Sequence, residues 1–175
     1  MADTRDLDQV RADIDAIDQD IQALINKRAE CAQRVAAIKL AEIMASRERC
    51  DAGAEVVYYR PEREAQVLQR IISRNSGPLD GASVAYIFRE IMSACLAQQE
   101  PLKVAFLGPE GTFTQQAVYK QFGHSVRALP LTSIEEVFHE VESGTADFGV
   151  VPIENSSEGT VNNTLDMFLT SPLAI

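Results

Sequence analysis

From Asp6 to Ala45 the sequence runs for about forty residues without a glycine or a proline, and its apolar side chains keep a helical period. Leu7, Val10, Ile14, Ile17, Ile21 and Leu24 recur at steps of three and four, the seam of a helix that packs on another helix. The stretch predicts one uninterrupted helix on the order of 60 Å long. That is too long for a compact small monomer, so a partner helix is expected, through coiled-coil-like dimerisation or an extended bundle. The next slot of the seam is Arg28, after which Cys31, Val35 and Ile38 resume it and Lys39 follows. Arg28 and Lys39 are close to three turns apart and project from nearly one face, about 16 Å from each other along the axis. Long cationic side chains can converge over that distance on a small dianion. Arg11 lies about 25 Å before Arg28 along the same axis, so it reaches the same small ligand only if a second chain supplies it. Taken alone, an arginine in an apolar seam is as well explained as a device that fixes helix pairing.

The segment from Ala45 to Tyr59, ASRERCDAGAEVVYY, loses the period and contains the first glycine, Gly53; it reads as a connecting loop. RPEREAQVLQRIISRNSG restarts a helix with Pro61 in its first turn, Val67, Leu68, Ile71 and Ile72 on one face, and Asn75 to Gly77 as its stop. A third helix opens after Asp80, carries Val84, Phe88, Ile91, Cys95 and Gln99, and ends at Pro101. The first hundred residues are therefore expected to be an all-helical, three-element unit.

From Leu102 the pattern changes to strands alternating with helices. LKVAFLG is a strand, a helix follows near Thr114 to Phe122, and VRALPL is a second strand. SIEEVFHEVESG is a helix in which Ser133 and Glu136 form a capping box and Gly144 is the stop. DFGVVPI is a third strand, and a helix near Val161 to Leu169 leads into PLAI. The order implies a parallel sheet with right-handed crossovers. PLAI reads as the beginning of a fourth strand, so the second domain is expected to be incomplete.

Composition excludes several classes of function. The net charge is −10, which argues against a nucleic-acid or anionic-membrane surface. All but three of the sixteen Lys and Arg residues precede position 101, the exceptions being Lys103, Lys120 and Arg127. The N-terminus lacks the apolar core of a signal sequence and no uncharged apolar run approaches membrane-spanning length, so a cytosolic location is expected. Cys31, Cys50 and Cys95 show no CxxC spacing, and Cys31 and Cys95 lie on apolar helical stripes, where small core residues are expected. His124 and His139 lack the spacing of a helical metal pair, so no metal is assigned.

Arg11, Arg28, Lys39, Arg63, Glu64 and Gln99, in that order on three helices, resemble the all-helical chorismate mutase family over Leu7 to Gln99. The resemblance implies a homodimer intertwined through the long first helices, each active site borrowing an arginine from the partner, here matched by Arg11. It also implies the rearrangement of chorismate to prephenate, with no cofactor, metal or covalent intermediate. Arg28 would face a substrate carboxylate, Lys39 and Gln99 would donate to the ether oxygen, Arg63 would help hold a carboxylate, and Glu64 would meet the ring hydroxyl. Three departures concern the hydroxyl side. The connection between Lys39 and Arg63 is longer than in compact members, Arg60 stands where an acidic residue is often found, and Cys95 falls where a small hydroxyl residue can occur.

GPEGTFT, Gly108 to Thr114, follows a strand and opens a helix, so its backbone N–H groups could receive an anion, although read alone it is better explained as a plain tight turn. VVPIENSSEGTV, Val150 to Val161, ends a buried strand in a polar cluster where ligands of such sheets gather, though capping alone would also account for Asn and Ser. Together the two stretches resemble the start of the prephenate dehydratase family, which implies a lobe of a periplasmic-binding-protein-like domain with Thr112, Glu154, Asn155 and Ser156 near a prephenate cleft. The whole is similar to the bifunctional chorismate mutase/prephenate dehydratase family of phenylalanine biosynthesis: a mutase domain over 1–100 and an incomplete dehydratase domain over 101–175. The Thr-Arg-Phe motif of the dehydratase family and its C-terminal regulatory domain are absent from the sequence, so this chain is expected to be mutase-competent and dehydratase-inactive. The competing readings are a non-catalytic dimeric helical module fused to a small-molecule-sensing lobe and a structural dimerisation helix with a degenerate appendage.

Overall fold

The computed structural model of the protein describes residues 7–47, 59–155 and 159–175. Two compact units divide the chain, Met1–Val57 and Tyr58–Ile175. In the first, a single helix α1 occupies Leu7–Arg47, close to the expected bounds, because nothing in its sequence interrupts the backbone ladder. Its first turns carry the side-chain bond from Gln9 to Asp13, 3.0 Å, and the Arg11–Asp8 pair. The apolar seam is exposed along its length, Leu7 at 61%, Leu24 at 65% and Ile38 at 59%. Cys31 belongs to this seam and is exposed rather than a core residue. Cys50 and most of the expected loop lie outside the described residues.

The second unit begins with helices α2, Pro61–Arg74, and α3, Gly81–Ala97. Pro61 occupies the first turn of α2, where its missing N–H costs nothing. Asp80 caps α3, accepting from Ser83 N at 2.9 Å and from Ser83 Oγ at 2.7 Å, and these bonds hold its carboxyl below the usual range. Leu68 and Ile71 of α2 bury against Ala85 of α3, flanked by Val67, Val84, Phe88 and Met92.

Next come β1 (Lys103–Leu107), α4 (Phe113–Phe122), β2 (Arg127–Leu131), α5 (Ile134–Glu142), β3 (Phe148–Val150), a short hairpin of β4 (Glu154–Asn155) and β5 (Gly159–Thr160), and α6 (Asn162–Thr170). The three longer strands form a parallel sheet in the order β2-β1-β3, with Val104 facing Ala128 on one side and Phe148 on the other. Strand alternation sorts the core. Val104 and Phe106 bury with Val118 of α4, whereas Ala105 buries on the opposite face with Val137 of α5 and Ala146. Helices thus cover both faces, as parallel sheets require.

Two local expectations are corrected. Ser133 does cap α5, accepting from Glu136 N at 3.2 Å, but the Glu136 carboxylate turns to Thr132, taking its N–H at 2.9 Å and its hydroxyl at 2.7 Å. The reciprocal half of the box has moved one residue upstream, because Thr132 offers two donors. Residues 171–175 form no strand; Leu173, Ala174 and Ile175 instead help line an apolar cavity of about 570 Å³ with residues of β3, α5 and Phe168. The β4–β5 pair leaves no signal in the sequence, since two-residue strands are too short to display a period.

The end of α3 meets the turn between α4 and β2 at close range. Gly123, the C-cap of α4, sits at φ +79°, and a Cβ there would lie 2.5 Å from Ser93 Cβ. Ser93 is buried, and its hydroxyl accepts from Ser125 N at 3.3 Å. Gly123→Ala is expected to cost more than about 1 kcal/mol in urea unfolding, since the backbone conformation alone is unfavourable for alanine and the clash adds to it. A neutral result would show that this approach does not hold the native structure together.

Beside it, the Glu90 carboxylate accepts from His124 N at 3.1 Å and pairs with His124 Nδ1 at 2.9 Å. Burial pushes the Glu90 carboxyl up, but the bonds to His124 outweigh it and hold the group below its ordinary value. A depressed carboxyl stabilises the fold above its unfolded-state titration and loses that contribution as pH falls through the folded one. Glu90→Gln is therefore expected to lower the melting temperature at neutral pH and to change it little in acid, once the wild-type carboxyl is protonated; equal losses at both would reject the charge interaction.

Candidate active site

The six mutase-like positions fall on both units. On α1, Arg11 is exposed and pairs with Asp8 at 3.4 Å, whereas Arg28 and Lys39 are partly buried. The unbroken helix preserves their sequence spacing, about 16 Å between Arg28 and Lys39 on nearly the same face. Arg11 lies about 25 Å from Arg28 along the axis, on a different face.

In the second unit, Arg63 and Glu64 open α2: the backbone N–H groups of both donate to Arg60 O at 3.1 Å. Pro61 and this turn set their side chains at the helix start, with Arg63 exposed and the Glu64 side chain only 14% exposed. Arg60 is an exposed N-cap whose side chain makes no capping bond. Cys95 is buried in α3, and Gln99 is half-buried in the turn just after it, its N–H donating to Leu96 O at 3.0 Å.

Around Glu64 the structure gathers residues that sequence reasoning missed. Arg89 of α3 places Nε 3.4 Å from Glu64 Oε1, an ion pair too poorly aligned to be a hydrogen bond. Tyr59, just before α2, has Glu64 and Gln121 as polar neighbours of its hydroxyl. Among the described residues neither the Tyr59 hydroxyl nor Arg89 Nε has a partner in hydrogen-bonding geometry, although both atoms are buried. Buried polar atoms left this way cost about 1–3 kcal/mol each. Burial raises the Glu64 carboxyl above its usual range, while the Arg89 charge and contacts with Tyr59 pull it back. Burial, followed by the Glu64 charge, raises the Tyr59 phenol far above its ordinary value. A signal existed for Arg89. Within GASVAYIFREIMSACLA, Arg89 and Glu90 are the only charged residues, and each meets an ionisable partner, Glu64 and His124.

The second constellation is placed by topology. From β1 the chain crosses to β2 on one side and returns through α5 to β3 on the other. The carboxyl ends of β1 and β3 therefore flank a switch point, where such sheets bind ligands. GPEGT leaves β1 there, and the segment leading to Glu154 and Asn155 leaves β3. Thr112 acts as the N-cap of α4, its hydroxyl accepting from Gln115 N at 3.4 Å, while Gln115 Oε1 accepts from Gly111 N at 2.6 Å. This turn has thus satisfied one of its own donors internally. Glu154 and Asn155 are exposed on the hairpin, and Ser156 lies outside the described residues.

Comparison with known proteins assigns the two stretches separately. The model of chorismate mutase type II matches residues 10–100, and that of prephenate dehydratase matches residues 104–175. With more than half of its length so matched, the chain belongs to the chorismate mutase type II family. It is 52% identical over all 175 residues to a bifunctional chorismate mutase/prephenate dehydratase of Pseudomonas aeruginosa, of which it covers 46%. A protein described in the same words from Neisseria gonorrhoeae is 46% identical over 91% of this chain and 40% of its own length, and one from Escherichia coli is 28% identical over 95% and 44%. The chain spans less than half the length of these relatives.

Proposed function

We propose that the chain is a chorismate mutase that works as a homodimer through α1, with a helical domain over 1–100 and the first part of a prephenate dehydratase domain over 101–175. The observation that carries this reading is the order of Arg11, Arg28, Lys39, Arg63, Glu64 and Gln99 on three helices, inside the stretch matched by the mutase family. The matches to residues 10–100 and 104–175 support the division near residue 100. Within one chain α2 and α3 share a compact unit with the sheet; in the proposed dimer the mutase site draws on α1 of both copies. The exposed seam of α1 supports that pairing.

The reaction breaks the ether C–O bond of chorismate as a new C–C bond forms, so positioning and electrostatics supply the catalysis. Arg28, Arg63 and the partner's Arg11 hold the two carboxylates and select the compact conformer. Lys39 and Gln99 donate to the ether oxygen as negative charge grows on it. Ionised Glu64 accepts from the ring hydroxyl. A cytoplasmic location belongs to the same reading, and no helix among the described residues is long and apolar enough to cross a membrane.

The test is the loss of chorismate's ultraviolet absorbance on adding the purified chain, with prephenate as product. Absence of turnover by a folded protein would reject the mutase in favour of a non-catalytic helical module. The same preparation is expected to form no phenylpyruvate from prephenate; its formation would overturn the expectation that this chain is dehydratase-inactive.

A further inference from the structure

The polar cluster around Glu64 sits where helical and sheet-bearing parts of the second unit meet. Arg89 reaches it from α3. Tyr59 reaches it from the lobe side: its ring lies 5.4 Å from Phe148 of β3, edge-on, and 5.8 Å from Phe122 of α4, and those two rings are 5.3 Å apart. Tyr59 also packs against the cluster of Leu102, Val104, Phe106 and Val118. Its hydroxyl is thus held beside Glu64 by the core of the sheet.

Neither the Tyr59 hydroxyl nor Arg89 Nε has an aligned partner among the described residues, and the Glu64 carboxylate is their common neighbour. An ionised carboxylate offers about four acceptor sites, so one that takes both donors can still accept from a ligand hydroxyl. Arg89 also favours the ionised form, which can only accept hydrogen bonds.

We propose that Arg89 and Tyr59 are positioning residues for Glu64, orienting its carboxylate toward the substrate hydroxyl, and that Tyr59 does so from a seat in the α/β lobe. The proposal rests on the mutase reading above and adds that the lobe's packing enters the helical site. Among the described residues the groups facing Glu64 are Arg89 from α3, the Tyr59 phenol before α2, and the neutral Gln121 of α4 near that phenol.

The experiment uses this chain with ¹³C-labelled glutamate, the Glu64 carboxyl resonance being identified by its loss in Glu64→Gln. In Arg89→Gln the Glu64 titration is expected to move up by about one pH unit or more, since a nearby cation has been removed. The acid limb of kcat/KM for chorismate should move up with it, and Arg89→Lys should restore both. Tyr59→Phe should lower kcat more than it raises KM while preserving the melting temperature. If Arg89→Gln does not fold, Arg89→Lys and Tyr59→Phe carry the test, wild-type kinetics in Tyr59→Phe being the rejecting result. An active wild type whose Glu64 titration and pH profile are indifferent to Arg89 overturns this inference alone. A folded wild type that does not turn over chorismate overturns the mutase reading and the positioning role with it.

Discussion

Replacing Lys39 with alanine is expected to lower kcat for chorismate by about 10²–10³-fold, the range found when one donor to a developing oxyanion is removed. Lys39 is partly buried on an unbroken helix. The loss should fall on kcat, because charge on the ether oxygen grows only as the bond breaks. Arg28→Ala should instead raise KM as well, since a substrate carboxylate carries its charge before and during reaction. Neither change touches the seam's large apolar side chains, so the proposed dimer should survive in both. Wild-type rates in the two variants would remove the site assignment, whereas loss of the dimer would recast Arg28 as a pairing device.

The second large effect is a recovery. Arg11→Ala and Lys39→Ala, each nearly inactive alone, should regain about a quarter of wild-type activity when unfolded and refolded together in equal amounts, because random pairing makes half the dimers mixed. In a mixed dimer one site has both substitutions and the other has neither. The geometry behind this is plain: Arg11 is about 25 Å from Arg28 along a rigid helix, beyond the reach of one small ligand. A mixture as inactive as its components would show that no site is shared between chains.

Much of this was legible in the sequence because the relevant signals are local. The span of α1 followed from the absence of Gly and Pro, the starts of α2, α3 and α5 from Pro61, Asp80 and Ser133, and the sheet from apolar runs separated by amphipathic helices. The missed parts depend on contacts distant in the chain. Nothing near Tyr59 in sequence reveals that its ring joins Phe122 and Phe148. The Arg89–Glu64 pair joins two helices whose register no sequence period specifies. Cys31 lies on the expected seam but is exposed, because period alone gives a face without saying what covers it. For the two candidate stretches the residue types were readable, but the chemical roles proposed for them rest on family resemblance, since spacing on α1 constrains only reach.

The exposed seam of α1 has a consequence for every assay on this chain. Leu7, Ile14, Ile17, Ile21, Leu24 and Ile38 are each roughly half or more exposed, and full burial of such a side chain is worth roughly 1.5–3 kcal/mol. If a second copy supplies that burial, folding and association obey one mass-action law. The melting temperature would then climb with protein concentration. On the proposed mutase reading, dilution would take apart the shared sites along with the dimers, and initial rates would rise faster than in proportion to the amount of protein added.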